Sequence, residues 1–425
     1  NYLLLKNLKS KLIGVLLESS TNYIASILGI LKSGNSFVPI DIKYPYERIN
    51  DIIKDSDISI VVTNSKYIKL INESSCDIIN LDIDNKEIKL ANANDPDIEI
   101  HILDLAYCIY TSGSTGVPKG VKISHLNFLT FCEAGRRIYN FSSSDNIFQF
   151  SSISFDTSIE EIFLTLTSGS ALVINSEKKI ADAHELIKTL SEENISVLDF
   201  PTAYWTYFSQ QLYQDKLQLP KCVKKIIIGG EKANKSSLTK WNNSQSKIEF
   251  YNSYGPTETT VIASVWEFHL EKNDVIINEI PIGKAIYGYS LYVLDQSYNH
   301  LPIGAYGELF ISGNAVSQGY VNKPSLTAKL FIPDPYSKIP GQRMYATGDI
   351  VKLLMDGNIE YIGRKDNQVK IRGYRVELEE ISSVILQHSS VYECVILFNE
   401  ITDNNKQLLA FLTVTESSSE ITEKI

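Results

Sequence analysis

Several features that mark particular classes of protein are scarce or absent in this sequence. The five cysteines lie far apart and form no C-x-x-C pair, which argues against a disulfide framework and is typical of reduced thiols in a cytoplasmic protein. No run of about 18 apolar residues occurs, so we expect no transmembrane helix. The six histidines show no metal-ligand spacing. The net charge of -10 argues against nucleic acid and anionic membranes as partners.

The first nine residues lack both an initiator Met and the small-residue cleavage site of a secretory signal. We therefore expect the chain to be an excerpt of something longer. With 425 residues it is too long for a single hydrophobic core, so it should divide into two or more domains. The 44% hydrophobic and 21% charged residues are typical of a globular protein.

Short apolar, β-branched runs alternate with helix-like patterns along most of the chain. This rhythm predicts an α/β fold with a large N-terminal lobe of two doubly wound α/β subdomains. A β-rich subdomain should follow over 276–361, and a small, here partial, α+β lobe should close the chain. We place the large lobe at 1–365 and the start of the small lobe at 366–425. The charged, irregular stretch 65–96 is predicted to be variable surface.

A glycine- and hydroxyl-rich loop, Thr111-Ser-Gly-Ser-Thr-Gly-Val-Pro-Lys119, follows a strand-like apolar run. Glycine lets backbone N–H groups converge, and the hydroxyls and the lysine ammonium add donors, a combination that suits a polyphosphate. The loop is not the G-x-x-x-x-G-K-[ST] nucleotide loop, because no Ser or Thr follows Lys119. Taken alone, a Ser/Gly-rich surface turn explains it equally well.

Two later turns carry candidate nucleotide contacts. In Asn252-Ser-Tyr-Gly-Pro-Thr-Glu258, the tyrosine could stack on a base, the threonine could bond a phosphate oxygen and Glu258 could hold Mg²⁺. In Tyr345-Ala-Thr-Gly-Asp349, the acid could accept both ribose hydroxyls. Ordinary Gly-Pro and Asp turns are the alternative for both. The basic stretch 363–380 could indicate nucleic-acid binding, but the acidity of the chain argues against it.

In this order and spacing, the motifs closely resemble the adenylate-forming superfamily (acyl-CoA synthetase/luciferase-like), and within it the adenylation domains of nonribosomal peptide synthetases. The stretches 31–41, 307–313 and 318–320 extend the resemblance over nearly the whole chain. It implies attack of an amino-acid carboxylate on the α-phosphate of MgATP, with release of pyrophosphate. The implied partners are the phosphopantetheine thiol of a carrier (thiolation) domain, which takes the acyl group, and a condensation domain of the same synthetase.

The resemblance also implies roles for particular residues. Thr111, Lys119, Glu258 and Arg364 would be catalytic, with Glu258 as the metal ligand and Asp366 as the hinge between the lobes. ATP or AMP would be bound by Thr111, Ser112, Gly113, Ser114, Thr115, Gly116, Lys119, Gly230, Glu231, Asn252, Ser253, Tyr254, Gly255, Thr257, Asp349, Tyr361 and Arg364. The family's lysine in an Asn-Gly-Lys type motif has no counterpart before Ile425, since Lys424 lies in another context. Our hypothesis is that the chain omits this part; an interrupted or slower domain is the alternative.

Asp156 matches the family's partner for the substrate α-amine. The pocket for the substrate side chain would be lined by Thr157, Glu160, Asp199, Ile227, Gly229, Ser253, Val261 and Ile262. Glu160 lies four residues after Asp156, so the two share a helix face, and Asp199 lies in an otherwise apolar strand where an unpaired charge is costly.

No lysine or arginine of the chain aligns to this pocket, so the substrate itself should supply the positive charge. Gly229 and Ser253 leave depth for a long side chain. We therefore predict a cationic amino acid, Lys, Orn or Arg, with Lys or Orn preferred. The alternative is that Glu160 points to solvent and Asp199 bonds backbone.

Two other functions fit parts of the sequence. An acyl- or aryl-CoA ligase of the same superfamily would share the nucleotide motifs, but its acids offer no α-ammonium for Asp156 to meet. A non-catalytic ATP-binding module would explain the lack of the C-terminal lysine.

Overall fold

The computed structural model describes residues 1–6, 8–71, 76–113, 118–175, 182–244, 248–268, 279–366, 368–371, 374–402 and 405–414. In this part of the chain, the order of elements is that of two α/β units, a β-rich unit and a small α+β unit. The fold class predicted from the sequence is therefore confirmed. The boundary between 365 and 366 stays a prediction.

The first unit is built on a mostly parallel sheet. Its described strands follow the order β4-β3-β1-β2-β5-β6, and only the last pair, β5 and β6, is antiparallel. The elements are α1 (Tyr2–Leu5), β1 (Leu12–Leu16), α2 (Thr21–Lys32), β2 (Ser36–Pro39), α3 (Tyr46–Asp55), β3 (Ile60–Thr63), β4 (Asp77–Asn80), α4 (Asn85–Leu90), β5 (Leu105–Thr111), β6 (Lys119–Ser124) and α5 (His125–Tyr139).

The stretch 65–96 lies mostly at the surface, as predicted, but it is not irregular. In it, β4 pairs in parallel with β3, and α4 follows. As the edge strand of its sheet, β4 needs a single hydrogen-bonded neighbour, and only its second half is buried. Four residues with two apolar side chains are too short a pattern to be recognised as a strand.

The second unit repeats the arrangement. Its described strands follow the order β13-β12-β11-β10-β9-β7-β8, and β12 runs antiparallel to both of its neighbours, β11 and β13. A π-helical turn over Glu160–Leu164 joins α6 to α7 in one continuous helix. The elements are β7 (Asn146–Gln149), α6 (Asp156–Ile159), α7 (Thr165–Ser168), β8 (Ala171–Ile174), α8 (Ala183–Glu192), β9 (Val197–Pro201), α9 (Thr202–Gln214), β10 (Lys225–Gly229), α10 (Lys235–Ser244), β11 (Glu249–Tyr254), β12 (Ser264–Phe268) and β13 (Lys284–Ala285).

The remaining described residues form antiparallel structure. The β-rich unit contains β14 (Tyr289–Leu294), β15 (Tyr306–Gly313), α11 (Pro324–Leu330), β16 (Phe331–Pro333), β17 (Arg343–Leu353) and β18 (Ile359–Arg364). The small lobe contains β19 (Val369–Ile371), β20 (Tyr374–Val376), α12 (Leu378–Ile385), β21 (Val391–Thr402) and β22 (Asn405–Val414). None of the helices in the described ranges combines the length and apolar character needed to cross a membrane.

A shared core joins the two parallel sheets. Residues from both sheets, from α5 and from the helix that begins at Asp156 belong to one buried cluster. Phe163 stacks on Phe37 of the first sheet with ring centres 6.4 Å apart, and Tyr139 meets Tyr251 of the second sheet edge to face at 5.3 Å. These two helices therefore lie between the sheets and fix the walls of the space at the carboxyl ends of β9, β10 and β11.

Gly283 allows the turn before β13 to approach β12 closely. Its φ is +87°, and an added Cβ would overlap the backbone carbonyl of Val265. Its own carbonyl accepts the Ile359 N–H at 2.9 Å, which links this turn to β18. Only glycine avoids both the left-handed strain and the backbone overlap.

We predict that G283A lowers the melting temperature much more than G304A. Gly304 has a φ of +88° but open space around its Cβ position, so G304A carries only the left-handed strain. That strain costs about 1–2 kcal/mol, and the overlap at Gly283 adds roughly 1–3 kcal/mol or more. Circular dichroism melting of both variants gives the comparison. Equal melting temperatures would show that the backbone at Gly283 relaxes freely.

Candidate active site

A cavity of about 2080 Å³ lies at the carboxyl ends of β9, β10 and β11. Residues of the small lobe, among them Lys370 and Arg375, line its other side. The structure thus brings most of the predicted site residues to one space. Those on its wall are Thr111, Ser112, Asp156, Thr157, Glu160, Asp199, Gly229, Gly230, Glu231, Asn252, Ser253, Tyr254, Gly255, Thr257, Val261, Ile262, Asp349, Tyr361, Arg364 and Asp366.

A few predicted residues are not on this wall. Gly113 and Ile227 do not line the cavity, and Ile227 is buried within β10. Lys119 and Glu258 are buried close behind the wall, next to Arg375. The predicted nucleotide contacts Ser114, Thr115 and Gly116 lie outside the described residues.

Asp349 is the centre of a buried network on one side of the cavity. The Tyr254 hydroxyl donates to Asp349 Oδ2, and Arg364 Nη1 donates to Asp349 Oδ1 at 2.9 Å. Arg364 also holds Asp366 through two hydrogen bonds of 2.8 and 2.6 Å. Although burial acts to raise it, the hydrogen bond and charge of Arg364 keep the pKa of Asp366 below its usual range. One guanidinium therefore ties the predicted ribose acid to the predicted hinge.

Lys370 is a cation of this network that our sequence analysis did not single out. It comes from β19 in the small lobe, and its Nζ lies 5.7 Å from the centre of the Tyr254 ring. Burial lowers its pKa, whereas the charges of Asp349 and Asp156 act in the opposite direction. The basic stretch 363–380 is the sequence feature that could have identified Lys370, because β19 and β20 place cations of this stretch on the cavity wall.

Glu258 is enclosed by partners from several parts of the chain. Arg375 Nη1 donates to both of its carboxylate oxygens at 3.0 and 2.8 Å, and the Tyr320 hydroxyl donates to Oε1 at 2.7 Å. Lys119 Nζ lies 3.8 Å from Oε1 and 3.8 Å from Glu377. Burial acts to raise the pKa of Glu258, but the charges of Arg375 and Lys119 outweigh it and lower this pKa to about 2.

This arrangement does not fit the predicted role of Glu258 as a Mg²⁺ ligand. Both of its oxygens already accept from Arg375, and the side chain is fully buried behind the cavity wall. In the described ranges, no cluster of three or more His, Cys, Asp or Glu side chains is placed to ligate a metal. We therefore assign no chemistry to a metal at Glu258.

Asp156 begins the helix that lies between the sheets. Its Oδ2 accepts a hydrogen bond of 2.7 Å from Thr257, the residue we predicted to bond a phosphate. The structure gives Thr257 this different partner, and its phosphate contact stays a prediction. Burial raises the pKa of Asp156, which disfavours its charged form. A cation bound next to Asp156 would stabilise the charged carboxylate.

Glu160 and Glu161 are neighbours in the π-helical turn, and their surroundings differ. Glu161 accepts the backbone N–H groups of Phe150 at 2.9 Å and Ser151 at 3.0 Å, which anchors the helix to the end of β7. In contrast, Glu160 Oε1 has no hydrogen-bond partner among the described residues. Glu160 lines the cavity although it is only 2% exposed. It is therefore the carboxylate of the pair that can meet a ligand.

Asp199 faces the same cavity from β9. It is 3% exposed, and its Oδ2 lacks a hydrogen-bond partner among the described residues. Burial raises the pKa of Asp199, and the charge of Glu160 raises it further. Burial likewise raises the pKa of Glu160 to about 8. The alternative from the sequence, a solvent-facing Glu160 and a backbone-bonded Asp199, is not what the structure shows.

Gly229 and Ser253 shape the wall beside these acids. A Cβ at Gly229 would lie 2.5 Å from Ser253 Oγ, which itself donates to the Ile228 carbonyl at 2.9 Å. A side chain at Gly229 would therefore displace the Ser253 hydroxyl from its place beside the cavity. The space in front of the two carboxylates is left open for a ligand.

A family model described as "AMP-binding enzyme" matches residues 1–321. The chain therefore belongs to the AMP-binding enzyme family. Tyrocidine synthase 1 of Brevibacillus parabrevis is 36% identical over 403 residues, which are 94% of this chain and 36% of that protein. Bacitracin synthase 1 of Bacillus licheniformis is 36% identical over 404 residues, 95% of this chain and 7% of that protein. The chain thus spans only about a third of the length of the first of these relatives and far less of the second.

A solved structure shows the same fold over almost the whole chain. It is that of holo-PA1221, described as a nonribosomal peptide synthetase protein containing adenylation and PCP domains. The TM-score is 0.87 at 25% identity, and the match covers 99% of this chain and 71% of that one. The sequence-based identification as a nonribosomal peptide synthetase adenylation domain, an amino-acid-adenylating ligase, is confirmed.

Among the ion pairs that join the small lobe to the large one, we predict that Arg375–Glu258 and Arg48–Glu380 contribute unequally. R375M leaves the carboxylate of Glu258 buried with the Tyr320 hydroxyl as its donor and Lys119 3.8 Å away, whereas Arg48–Glu380 is a pair whose side chains are 22% and 21% exposed. Breaking a buried pair costs about 3–5 kcal/mol and an exposed one about 0–1 kcal/mol. R375M should therefore raise amide hydrogen exchange in α12 by roughly a hundredfold or more, and R48M by less than about tenfold. Equal exchange in the two variants would contradict the assignment of Arg375 as the main contact.

Proposed function

We propose that this domain activates a cationic α-amino acid with ATP as the aminoacyl-AMP, releasing pyrophosphate. The acyl group then passes as a thioester to the phosphopantetheine of a carrier domain in nonribosomal peptide synthesis. The observation that carries the substrate class is the pair of buried carboxylates, Glu160 and Asp199, each with an oxygen that lacks a partner among the described residues. Both line the cavity that also contains Asp156 and Asp349.

The nucleotide would lie on the Asp349 side of the cavity. Asp349 offers carboxylate oxygens to ribose hydroxyls, and the ring of Tyr254 and the side chain of Asn252 lie on the same wall. Lys119, Lys370 and Arg375 concentrate positive charge near this end of an acidic protein. These cations would stabilise the phosphates and the charge that develops when pyrophosphate leaves.

The amino acid would lie on the Asp156 side. Asp156 would hold the α-ammonium, and Thr257 keeps its carboxylate in place through the 2.7 Å hydrogen bond. An α-ammonium held there leaves the substrate carboxylate free to meet the α-phosphate of ATP. The protein contributes alignment and charge stabilisation, and the bond changes take place between the two substrates.

The substrate side chain would extend to Glu160 and Asp199. Two carboxylates buried side by side cannot both keep a negative charge without a nearby cation, and burial raises the pKa of each. An ammonium or guanidinium group restores both charges and satisfies the orphan oxygens. A neutral side chain such as leucine would leave those oxygens unsatisfied, a penalty of about 1–3 kcal/mol for each.

A carrier (thiolation) domain and a condensation domain are the proposed protein partners. The support for the carrier domain is that holo-PA1221 combines an adenylation and a PCP domain and has this fold. We place the protein in the cytoplasm, because its five cysteines are thiols rather than disulfides and a reducing compartment keeps them in that state. Mg²⁺ is expected with ATP, but Glu258 does not fit as its ligand in the arrangement described above.

We predict that amino-acid-dependent ATP–pyrophosphate exchange is fastest with lysine, ornithine or arginine. E160Q should lower kcat/KM for these by about tenfold or more, because one of two carboxylates facing the cation is lost. It should leave norleucine and other neutral amino acids unaffected or slightly improved. D156N is the matched comparison, since loss of the α-ammonium contact should lower exchange for every amino acid. Preference for leucine or phenylalanine over all basic residues would refute the substrate class, and activation of fatty or aryl acids would indicate a CoA ligase.

The pH dependence of KM provides a further prediction. The pKa of Glu160 is raised to about 8, so the side chain is protonated at neutral pH and becomes charged as the pH passes 8. KM for lysine should therefore fall between about pH 6.5 and 8.5, by up to about tenfold per pH unit below the pKa. KM for norleucine, and KM for lysine in E160Q, should vary much less over this window. A lysine KM that rises with pH would contradict the sign of this linkage.

A further inference from the structure

Tyr139, the last residue of α5, is fully buried behind the cavity, and its hydroxyl has no hydrogen-bond partner among the described residues. Buried phenols almost always find a partner, because an unsatisfied polar group in the interior is costly. The free hydroxyl is therefore a feature that needs a physical explanation.

The position of Tyr139 brings this hydroxyl to the proposed side-chain pocket. Its ring meets that of Tyr251 of β11 edge to face, with ring centres 5.3 Å apart. In the parallel register of the sheet, Ile227 of β10 pairs with Tyr251 on one side and with Asp199 of β9 on the other. Paired residues of neighbouring strands point to the same face of a sheet. Tyr139 therefore packs on the face from which Asp199 points.

The helix that carries Glu160 packs directly on α5, because a Cβ at Gly135 of α5 would lie 2.5 Å from Leu164 Cδ1. Tyr139 lies four residues after Gly135, and Glu160 lies four residues before Leu164. Burial raises the pKa of Tyr139 and the charges of Glu160 and Asp199 raise it further, whereas the phenol opposes the effect of burial on the pKa of Glu160. Neither the Tyr139 hydroxyl nor Glu160 Oε1 has completed a hydrogen bond of standard geometry. Among the described residues, three buried oxygens of this region lack a partner: those of Glu160 and Asp199 on the cavity wall and that of Tyr139 behind it.

We infer that Tyr139 is a positioning residue of this pocket, whose hydroxyl donates to Glu160 Oε1 once a substrate cation has restored the charge of that carboxylate. The inference rests on the function proposed above and adds a specificity residue to it. A carboxylate fixed from behind by a phenol presents its other oxygen to the cavity in one orientation. That orientation favours a substrate whose cation reaches the end of the pocket.

Once a substrate cation is bound and the carboxylates are charged, the other groups near Glu160 do not offer it a proton. The titratable neighbours are Asp156 and Glu161 on its own helix, Asp199 on β9, Tyr139 on α5 and Tyr289 on β14. Carboxylates are acceptors when charged. The Tyr289 hydroxyl already donates to the backbone carbonyls of Thr259 and Thr260 at 3.1 and 3.3 Å. Among these neighbours, the hydroxyl of Tyr139 is the one left to stabilise charged Glu160.

Tyr139→Phe tests the inference, with Tyr23→Phe as the matched control. Tyr23 is equally buried, its hydroxyl also lacks a partner among the described residues, and burial alone raises its pKa. In pyrophosphate exchange, Y139F should raise KM for lysine and ornithine about tenfold with little change in kcat or in the KM for norleucine. It should also shift the fall of KM to higher pH, because charged Glu160 loses a donor. Y23F should change neither quantity.

A double-mutant cycle separates positioning from general stability. If Tyr139 acts through Glu160, adding Y139F to E160Q should produce no further rise in the lysine KM. An additive rise, or a Y139F variant with the KM and pH profile of Y23F, would overturn the inference and leave the proposed function intact. Failure of the parent protein to exchange pyrophosphate with lysine, ornithine and arginine would instead refute the proposed function.

Discussion

The cavity depends on how each buried carboxylate is compensated. Asp349 accepts from Arg364 and Tyr254, and Glu258 accepts from Arg375 and Tyr320, so the protein supplies the positive charge on that side. On the other side, Asp156 has a neutral donor, Thr257, and Glu160 and Asp199 have oxygens with no partner among the described residues. Because uncompensated buried charge is expensive, this division of the cavity also divides its ligands: an anion belongs near the cations and a cation near the free acids.

The carboxylates of the two sides change the stability of the fold with pH in opposite directions. The pKa of Glu258 lies at about 2, below its ordinary value, so this group stabilises the fold above about pH 4.5, and the contribution is lost as the pH falls toward 2. The pKa of Glu160 lies at about 8, so between about pH 4.5 and 8 the folded state binds a proton that the unfolded state has released. Its contribution to stability therefore declines as the pH rises through that range. Buried Glu160 therefore lowers the stability of the free protein as the pH rises, and a bound cation would offset this loss of stability.

The sequence allowed the fold class to be predicted from strand rhythm, and most of the site residues implied by the family resemblance lie on the cavity wall, because the motifs around Lys119, Tyr254 and Asp349 are local patterns. It did not indicate Tyr139 or Arg375, whose roles arise only when distant elements pack together. The adjacent Glu160 and Glu161 illustrate the limit. Sequence gives two identical side chains, but the fold directs one to the N–H groups at the end of β7 and the other to the cavity. The edge strand β4 was not predicted, because its apolar pattern is too short to indicate a strand. It is a strand because it pairs with β3, which the sequence does not show.

Charged groups of the cavity also make the contacts that hold the small lobe in place. Arg375 reaches Glu258 from β20, and Arg364 joins Asp349 to Asp366 at the predicted hinge. Both guanidinium groups are thus shared between the lobe contact and the cavity. A phosphate-bearing ligand in this space would compete with these carboxylates for the same donors, because guanidinium binds phosphate and carboxylate through similar bidentate geometry. The contacts that hold the small lobe in place are therefore those that an anionic ligand would change first, which couples the lobe position to the contents of the cavity.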